Sequence, residues 1–178
     1  MQEIWYSIIG DITPDTAKQL VSWVNGQVYE NPVTTLKILL SSEGGDVESA
    51  LIIYHYIKSL PLQTEIIAFN KVGSAANIIF VSSTNRSATK DCLFVLHEGT
   101  NTINNPTASL HQHEDNLLWM KDRISRHVSV LSAETGKTIT EIKKAMSDTV
   151  FLSAEDAKVF GLVRDVVEKL PLKMVKKD

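Results

Sequence analysis

Over its first hundred residues the chain alternates short apolar runs with stretches of helical periodicity. Residues 3–9 (EIWYSII), 35–41, 63–69 and 92–97 are the apolar runs, each bounded by turn-forming residues, and each predicts a strand. The run at 35–41 is almost continuously apolar, the pattern of a strand covered on both faces in a parallel sheet. Between the runs lie helical segments. Thr13-Pro14-Asp15 supplies a capping hydroxyl, a first-turn proline and an acid at the positive helix end, predicting a helix through Val24 that stops near Asn25-Gly26. Asn31-Pro32 marks a loop. A second helix is predicted from Asp46 to Leu60, with Ala50, Ile53, Tyr54 and Ile57 on its apolar stripe and Pro61 beyond its end. Ser74 to Ser83 reads as a short apolar helix, and Asn85 to Lys90 as turn. The order β-α-β-α-β-α-β predicts an α/β fold with right-handed crossovers around a largely parallel sheet.

Gly99 to Ser109 interrupts that rhythm with a polar, aperiodic stretch. A long helix follows from about Leu110 to Glu134, with Leu117, Ile124, Val128 and Leu131 on one side and Gly136 at its end. Thr138 and Glu141 have the T-x-x-E spacing of a capping box. Ser153 to Phe160 forms a last helical segment before Gly161, and 162–167 a last strand. The tail, 173–178, is charged and expected to fray. No repeat or linker divides the chain, so a single domain over 1–178 is expected.

Composition narrows the function classes. At 178 residues with 43% hydrophobic and 22% charged residues, the chain can bury a substantial core. A net charge of −3 supplies no basic stripe for nucleic acid and no polybasic membrane patch. No run approaches a membrane span, and the N-terminus has no export-signal pattern. The one cysteine, Cys92, fits a reducing, cytoplasmic setting and reads as a small buried hydrophobe.

Three turns carry candidate chemistry. In Glu43-Gly44-Gly45-Asp46, two glycines permit positive φ and let backbone amides approach a ligand, with the free amides of the next helix facing the same point. Taken alone, it is also a plain tight turn. Ser74 follows Gly73 at a strand-to-helix junction, where its hydroxyl could be presented beside the Ala75 amide or could simply cap the helix. His97 closes an apolar strand, at the sheet edge where α/β folds bind ligands. His111, His113 and His127 fall on the long helix and read as solvated; their spacing, without Cys or acidic partners, predicts no metal site, and no cofactor is expected.

Taken together, these residues resemble the Clp protease proteolytic subunit, a serine peptidase of the ClpP/crotonase superfamily. Ser42-Glu43-Gly44-Gly45-Asp46-Val47 resembles the family's S-P-G-G-x-V turn, with Glu43 in place of proline. The interval from Gly45 to Ser74 matches the family's spacing, Val95-Leu96-His97 resembles its M-I-H segment, and Phe151 to Ala157 with Phe160 to Val163 resembles its F-L-S-A-x-E-A…Y-G-L-V-D signature. The resemblance, over about 4–167, implies a ClpP/crotonase-like fold of repeated βαβ units, with a long helix after the fourth main strand. It implies that Ser74 is the nucleophile, His97 the general base, and the amides of Gly45 and Ala75 the oxyanion hole. The substrate would be a peptide or unfolded protein, cleaved through an acyl-enzyme by a ring-forming homo-oligomer that works with an AAA+ ATPase.

The chain departs from the family pattern in four further places. The family's acid falls at Thr149, and the nearest carboxylate is Asp148, leaving the third member of the triad between Asp148 and neither. Ala76-Asn77 replaces a small, glycine-containing stretch after the nucleophile. The first strand starts almost at Met1, where the family has a gating extension that contacts the ATPase. Thr100 to Ser109 lacks the glycines of the family's handle strand, which helps join two rings. ATPase partnership and the double ring therefore stay open. Two other functions compete: a non-proteolytic partner or assembly subunit of the same superfold, and a crotonase-type enzyme acting on acyl-CoA thioesters.

Overall fold

In the computed structural model, residues 2–99 and 109–172 are described. Strand β1 (Gln2–Ile9) leads into helix α1 (Pro14–Glu30), then β2 (Val33–Ser42), α2 (Val47–Ser59), β3 (Gln63–Gly73) and the short α3 (Ala76–Phe80). Strands β4 (Asn85–Thr89) and β5 (Leu93–Leu96) precede the long helix α4 (Leu110–Thr135). Helix α5 (Ile139–Ser147), β6 (Val150–Leu152), α6 (Ala154–Phe160) and β7 (Asp165–Val167) complete the order. The α/β architecture expected from the sequence, a largely parallel sheet with a long helix after β5, is the one observed. The parallel strands run β1-β2-β3-β4-β7, and β5 branches from the far end of β3. Strand β3 is long enough to serve two partners, pairing β4 through Glu65 to Ala68 and β5 through Lys71 to Gly73. Among the described residues only β6 is antiparallel, against β5.

Helix α1 packs on α2, α2 on α3, and α4 reaches both α2 and α3. Leu20, Leu36, Ile53 and Phe80 are wholly buried in the resulting core. Each such side chain contributes about 1.5–3 kcal/mol relative to exposure. The cap signals acted as read. Thr13 caps α1, Thr138 closes its box with Glu141 on α5, and Gly136 ends α4 in the left-handed conformation.

Several expectations are corrected. Helix α1 does not stop at Asn25-Gly26 but continues to Glu30, because Val28 packs against the core and Asn25 accepts a hydrogen bond from the Tyr56 hydroxyl. The chain then leaves the helix at Asn31-Pro32. Strand β7 begins at Asp165 rather than residue 162, because the Leu162 and Val163 amides still bond the Ala157 carbonyl at the end of α6.

The stretch read as turn, Asn85 to Lys90, contains the buried strand β4. Its Arg86 is 1% exposed and donates to the carbonyls of Ser83, Glu134, Gly161 and Leu162. Burial, with the neighbouring Arg164 charge, pulls its pKa down to about 10, which leaves it cationic at neutral pH. One side chain thus joins β4 to the ends of α4 and α6.

Candidate active site

The glycine turn follows β2. Ser42 Oγ accepts from the Gly44 amide at 3.0 Å and pins the start of the turn. Ile12 then bridges Gly45 in parallel fashion: Ile12 N–H donates to the Gly44 carbonyl and Asp46 N–H to the Ile12 carbonyl, both at 2.8 Å. In such a bridge the flanking groups make the bonds, so the Gly45 amide is directed away from Ile12. Among the described residues it has no main-chain acceptor. Gly45 has φ +140°, and a Cβ there would stand 2.3 Å from the Ile12 carbonyl oxygen, so only glycine fits. Asp46 caps α2, its Oδ1 accepting from the Ser49 amide and hydroxyl.

Ser74 sits where β3 ends. Its amide donates to the Val95 carbonyl at 3.0 Å, and its φ is +49°, left-handed for a residue with a Cβ. The glycine turn passes directly against it: a Cβ on Gly44 would lie 2.6 Å from the Ser74 Cβ and 3.0 Å from the Ala75 nitrogen. Ala75 precedes α3, and its amide also has no main-chain acceptor among the described residues. Asn77, wholly buried in α3, donates its side-chain amide to the Ser74 and Val95 carbonyls at 3.1 and 2.9 Å.

His97 follows β5. Gly73 pairs with Val95 in the parallel register, so Ser74 and His97 leave the same ends of neighbouring strands. The His97 Nδ1 lies 2.7 Å from the Glu98 carbonyl oxygen. If that nitrogen carries the proton, Nε2 is left as an acceptor, the tautomer a general base requires. The Glu98 amide is in turn anchored on the Met146 carbonyl at 3.0 Å. Among the described residues, no hydrogen bond joins His97 to Ser74.

Asp148 caps the end of α5, and its carboxylate accepts from Lys144 Nζ at 2.7 Å, with no hydrogen bond to His97. Thr149 has φ +53° and immediately precedes β6. Leu96 pairs antiparallel with Val150, so one further step of that register sets Thr149 across from His97. The left-handed Thr149 makes the backbone irregular at this point, and the Asp148 carboxylate is held by Lys144.

Gly45 and Ser74 line one cavity of about 100 Å³, together with Val47, Arg123 and His127. His127 corrects the reading of a solvated histidine: it is 4% exposed. Desolvation, with a smaller contribution from the nearby His97, pushes its pKa down to about 4. Sequence reasoning missed it because its neighbours Arg126 and Ser129 are polar. Its spacing of one and four residues from the buried Val128 and Leu131 was the available signal.

The Clp protease family model matches residues 2–170. The chain belongs to the Clp protease family. Similar Clp protease chains include the ATP-dependent Clp protease proteolytic subunit 2 of Borreliella burgdorferi, 25% identical over 90% of this chain and 81% of that protein. The subunit of the same name from Pseudomonas aeruginosa is 24% identical over 90% of this chain and 79% of its own length. In fold, a point mutant of ClpP1 from Listeria monocytogenes superposes with a TM-score of 0.82 at 20% identity, covering 93% of this chain and 91% of that one.

Cys92 is buried, and desolvation followed by the Asp91 charge pushes its thiol up to about 12, so it packs rather than reacts. Among the described residues no three His, Cys, Asp or Glu side chains cluster as metal ligands, and no helix is long and apolar enough to cross a membrane.

Proposed function

We propose that the chain is a serine endopeptidase that cleaves peptides or unfolded protein through an acyl-enzyme. The observation that carries this reading is the close approach of the Gly44-Gly45 turn to Ser74 and Ala75, which leaves two main-chain donors beside one hydroxyl. In this mechanism Ser74 Oγ attacks the peptide carbonyl while His97 Nε2 takes its proton. The Gly45 and Ala75 amides receive the oxyanion, each such donor being worth about 2.7–4 kcal/mol in the transition state. The imidazolium returns its proton to the leaving amine, and water, deprotonated by the same histidine, releases the acyl group. The Glu98 carbonyl orients the imidazole, and Asp148 is not needed for that task. The absence of a direct Ser74–His97 hydrogen bond is compatible with this role, because such bonds often tighten only when substrate binds.

A ring-forming homo-oligomer accompanies this reading. Leu117, Leu118 and Trp119 are 50%, 63% and 63% exposed along α4, an apolar surface suited to burial between subunits. An AAA+ ATPase that delivers unfolded protein and a cytoplasmic location belong to the same proposal. The expected absence of the family's glycine-rich handle falls on 100–108, which lie outside the described residues.

Treatment of the purified oligomer with a fluorophosphonate tests the reading. Labelling at Ser74, lost together with peptide cleavage in Ser74→Ala, supports it. A folded, assembled protein that resists the probe and cleaves nothing would instead support a non-proteolytic partner subunit. The occupied Asp148 carboxylate is the observation favouring that second reading.

A further inference from the structure

A groove of about 580 Å³ runs between α4 and α5. Lys121 and Ser125 line it from α4, and Lys143, Lys144 and Ser147 from α5. Glu98, the residue after His97, lines it as well. Ile124 borders both this groove and the cavity beside Ser74, so the two are neighbours.

The groove is cationic in a molecule that is not. The chain carries a net charge of −3, yet three ammonium groups line this space against the one carboxylate of Glu98. Asp122 and Glu141, acids close to these lysines in sequence, are engaged elsewhere, with Arg126 and Lys137. Lys144 holds Asp148. Lys121 and Lys143 make no ion pair among the described residues, and residues 100–108 contain no Asp or Glu to supply one. Among the other described lysines, only Lys18 and Lys169 share that state.

The spacing of the charges points to the kind of ligand. Positions 140, 143, 144 and 147 fall on one face of α5, over about 10 Å of helix. Charges spread along a face match a chain bearing carboxylates at intervals better than one small ion, since alternate side chains of an extended peptide stand about 7 Å apart. A molecule of negative net charge repels an acidic peptide at long range, so attraction has to come from a local field of this kind. Lysine ammoniums on flexible stems read charge rather than shape.

We propose that the groove between α4 and α5 recruits acidic segments of the peptide substrate, Lys121 and Lys143 binding carboxylates that flank the bond to be cut. Lys144 is shared between such a segment and Asp148. Calling the ligand a substrate rests on Ser74 and His97 being the cleaving pair; the attraction rests on the lysines. They select by charge and take no part in bond making.

Calorimetry of the purified Ser74→Ala protein tests this without turnover. A peptide with Glu at alternate positions and its twin with Gln there are titrated at low and at high salt. The Glu peptide should bind about tenfold more tightly at low salt, and the advantage should largely vanish in molar salt. Lys121→Gln combined with Lys143→Gln should abolish it. Lys18→Gln combined with Lys169→Gln removes the same charge elsewhere and should leave it intact. Equal binding of the two peptides, or none, overturns the proposal, as does an equal loss in both double variants. Inorganic pyrophosphate, titrated alone, should bind more weakly than the Glu peptide; tighter binding that is lost with Lys121 and Lys143 overturns the peptide assignment in favour of a small anion. Fluorophosphonate labelling of Ser74 in the native chain is scored separately. No labelling removes the peptidase reading while the titrations still decide the groove; labelling without a Glu preference removes the groove proposal alone.

Discussion

Asn77 donates its side-chain amide to the carbonyl of Val95 across 2.9 Å, in the same place where the Ser74 amide also donates. One carbonyl near the end of β5 therefore receives both the residue that would attack and a buried polar side chain from the following helix. His97 is two residues further along the chain, just past the end of that strand. The position of Ser74 relative to His97 is set by this shared acceptor as well as by the sheet.

Asn77→Leu should therefore cost stability and reactivity together. Removing the donor weakens the turn and leaves its acceptors with one bond fewer, a loss of about 1–3 kcal/mol in urea unfolding. Fluorophosphonate labelling of Ser74 should slow by about tenfold, equivalent to ~1.4 kcal/mol of transition-state misalignment. Unchanged labelling in a destabilised protein would show that Asn77 only packs.

Gly44→Ala should disable the site with little effect on distant structure. The new methyl would collide with the Ser74 Cβ at 2.6 Å and the Gly73 carbonyl at 2.7 Å, on backbone at φ +110°. Labelling should fall at least about a hundredfold, comparable to removing one oxyanion donor. Circular dichroism and native mass are the controls that establish folding and assembly.

Asp148→Asn should change peptide cleavage by less than about threefold, because its carboxylate faces Lys144 on the surface. Thr149→Asp is the informative contrast. Aspartate tolerates positive φ better than a β-branched threonine, and a carboxylate opposite His97 would stabilise the imidazolium. We expect kcat/KM to rise in Thr149→Asp; a rate fall confined to Asp148→Asn would return the orienting role to Asp148.

His127 predicts a specific acid sensitivity. Its pKa in the folded protein is about 4, below the ordinary 6.5, so between these values the unfolded chain binds a proton that the folded one refuses. Its contribution to stability is complete above about pH 6.5 and is lost as pH falls toward 4. The charge that acts on it is that of His97 after β5, while Arg123 and Asp46 line the same cavity. Urea unfolding at fixed protein concentration should show about 2 kcal/mol more loss between pH 7 and 5 for the native chain than for His127→Met. Equal losses would place His127 in a solvated setting.

Arg86→Met should be among the most destabilising changes in the chain. Four carbonyls would lose a charged donor at once, for a cost of about 3 kcal/mol or more by thermal or urea unfolding. A loss under about 1 kcal/mol would mean that water replaces the guanidinium.

The parts of the fold governed by local chemistry were legible in the sequence. Thr13 with Pro14, Thr138 with Glu141, and Gly136 each specify a helix end through two or three adjacent residues, and each acts as read. Strand β4 was not legible, because Asn-Arg-Ser-Ala-Thr has no apolar period; it is strand because Arg86 finds its acceptors on segments far away in the chain. The site divides the same way. Gly45, Ser74, Ala75 and His97 stood out because turns and strand ends expose them as punctuation. His127 did not, since its burial is decided by what packs over α4. The partner of Asp148 was hidden for a simpler reason: Lys144, four residues earlier, competes for it on the same helix end.

The left-handed φ of Ser74 bears on how this chain would change if its chemistry were no longer needed. That conformation disfavours any residue with a Cβ by about 1–2 kcal/mol and suits glycine or asparagine better. A lineage screened only for folding would drift away from serine there, gaining robustness with each such replacement. Persistence of a hydroxyl at this position among descendants would thus record demand for turnover, independently of any pressure to keep the scaffold intact.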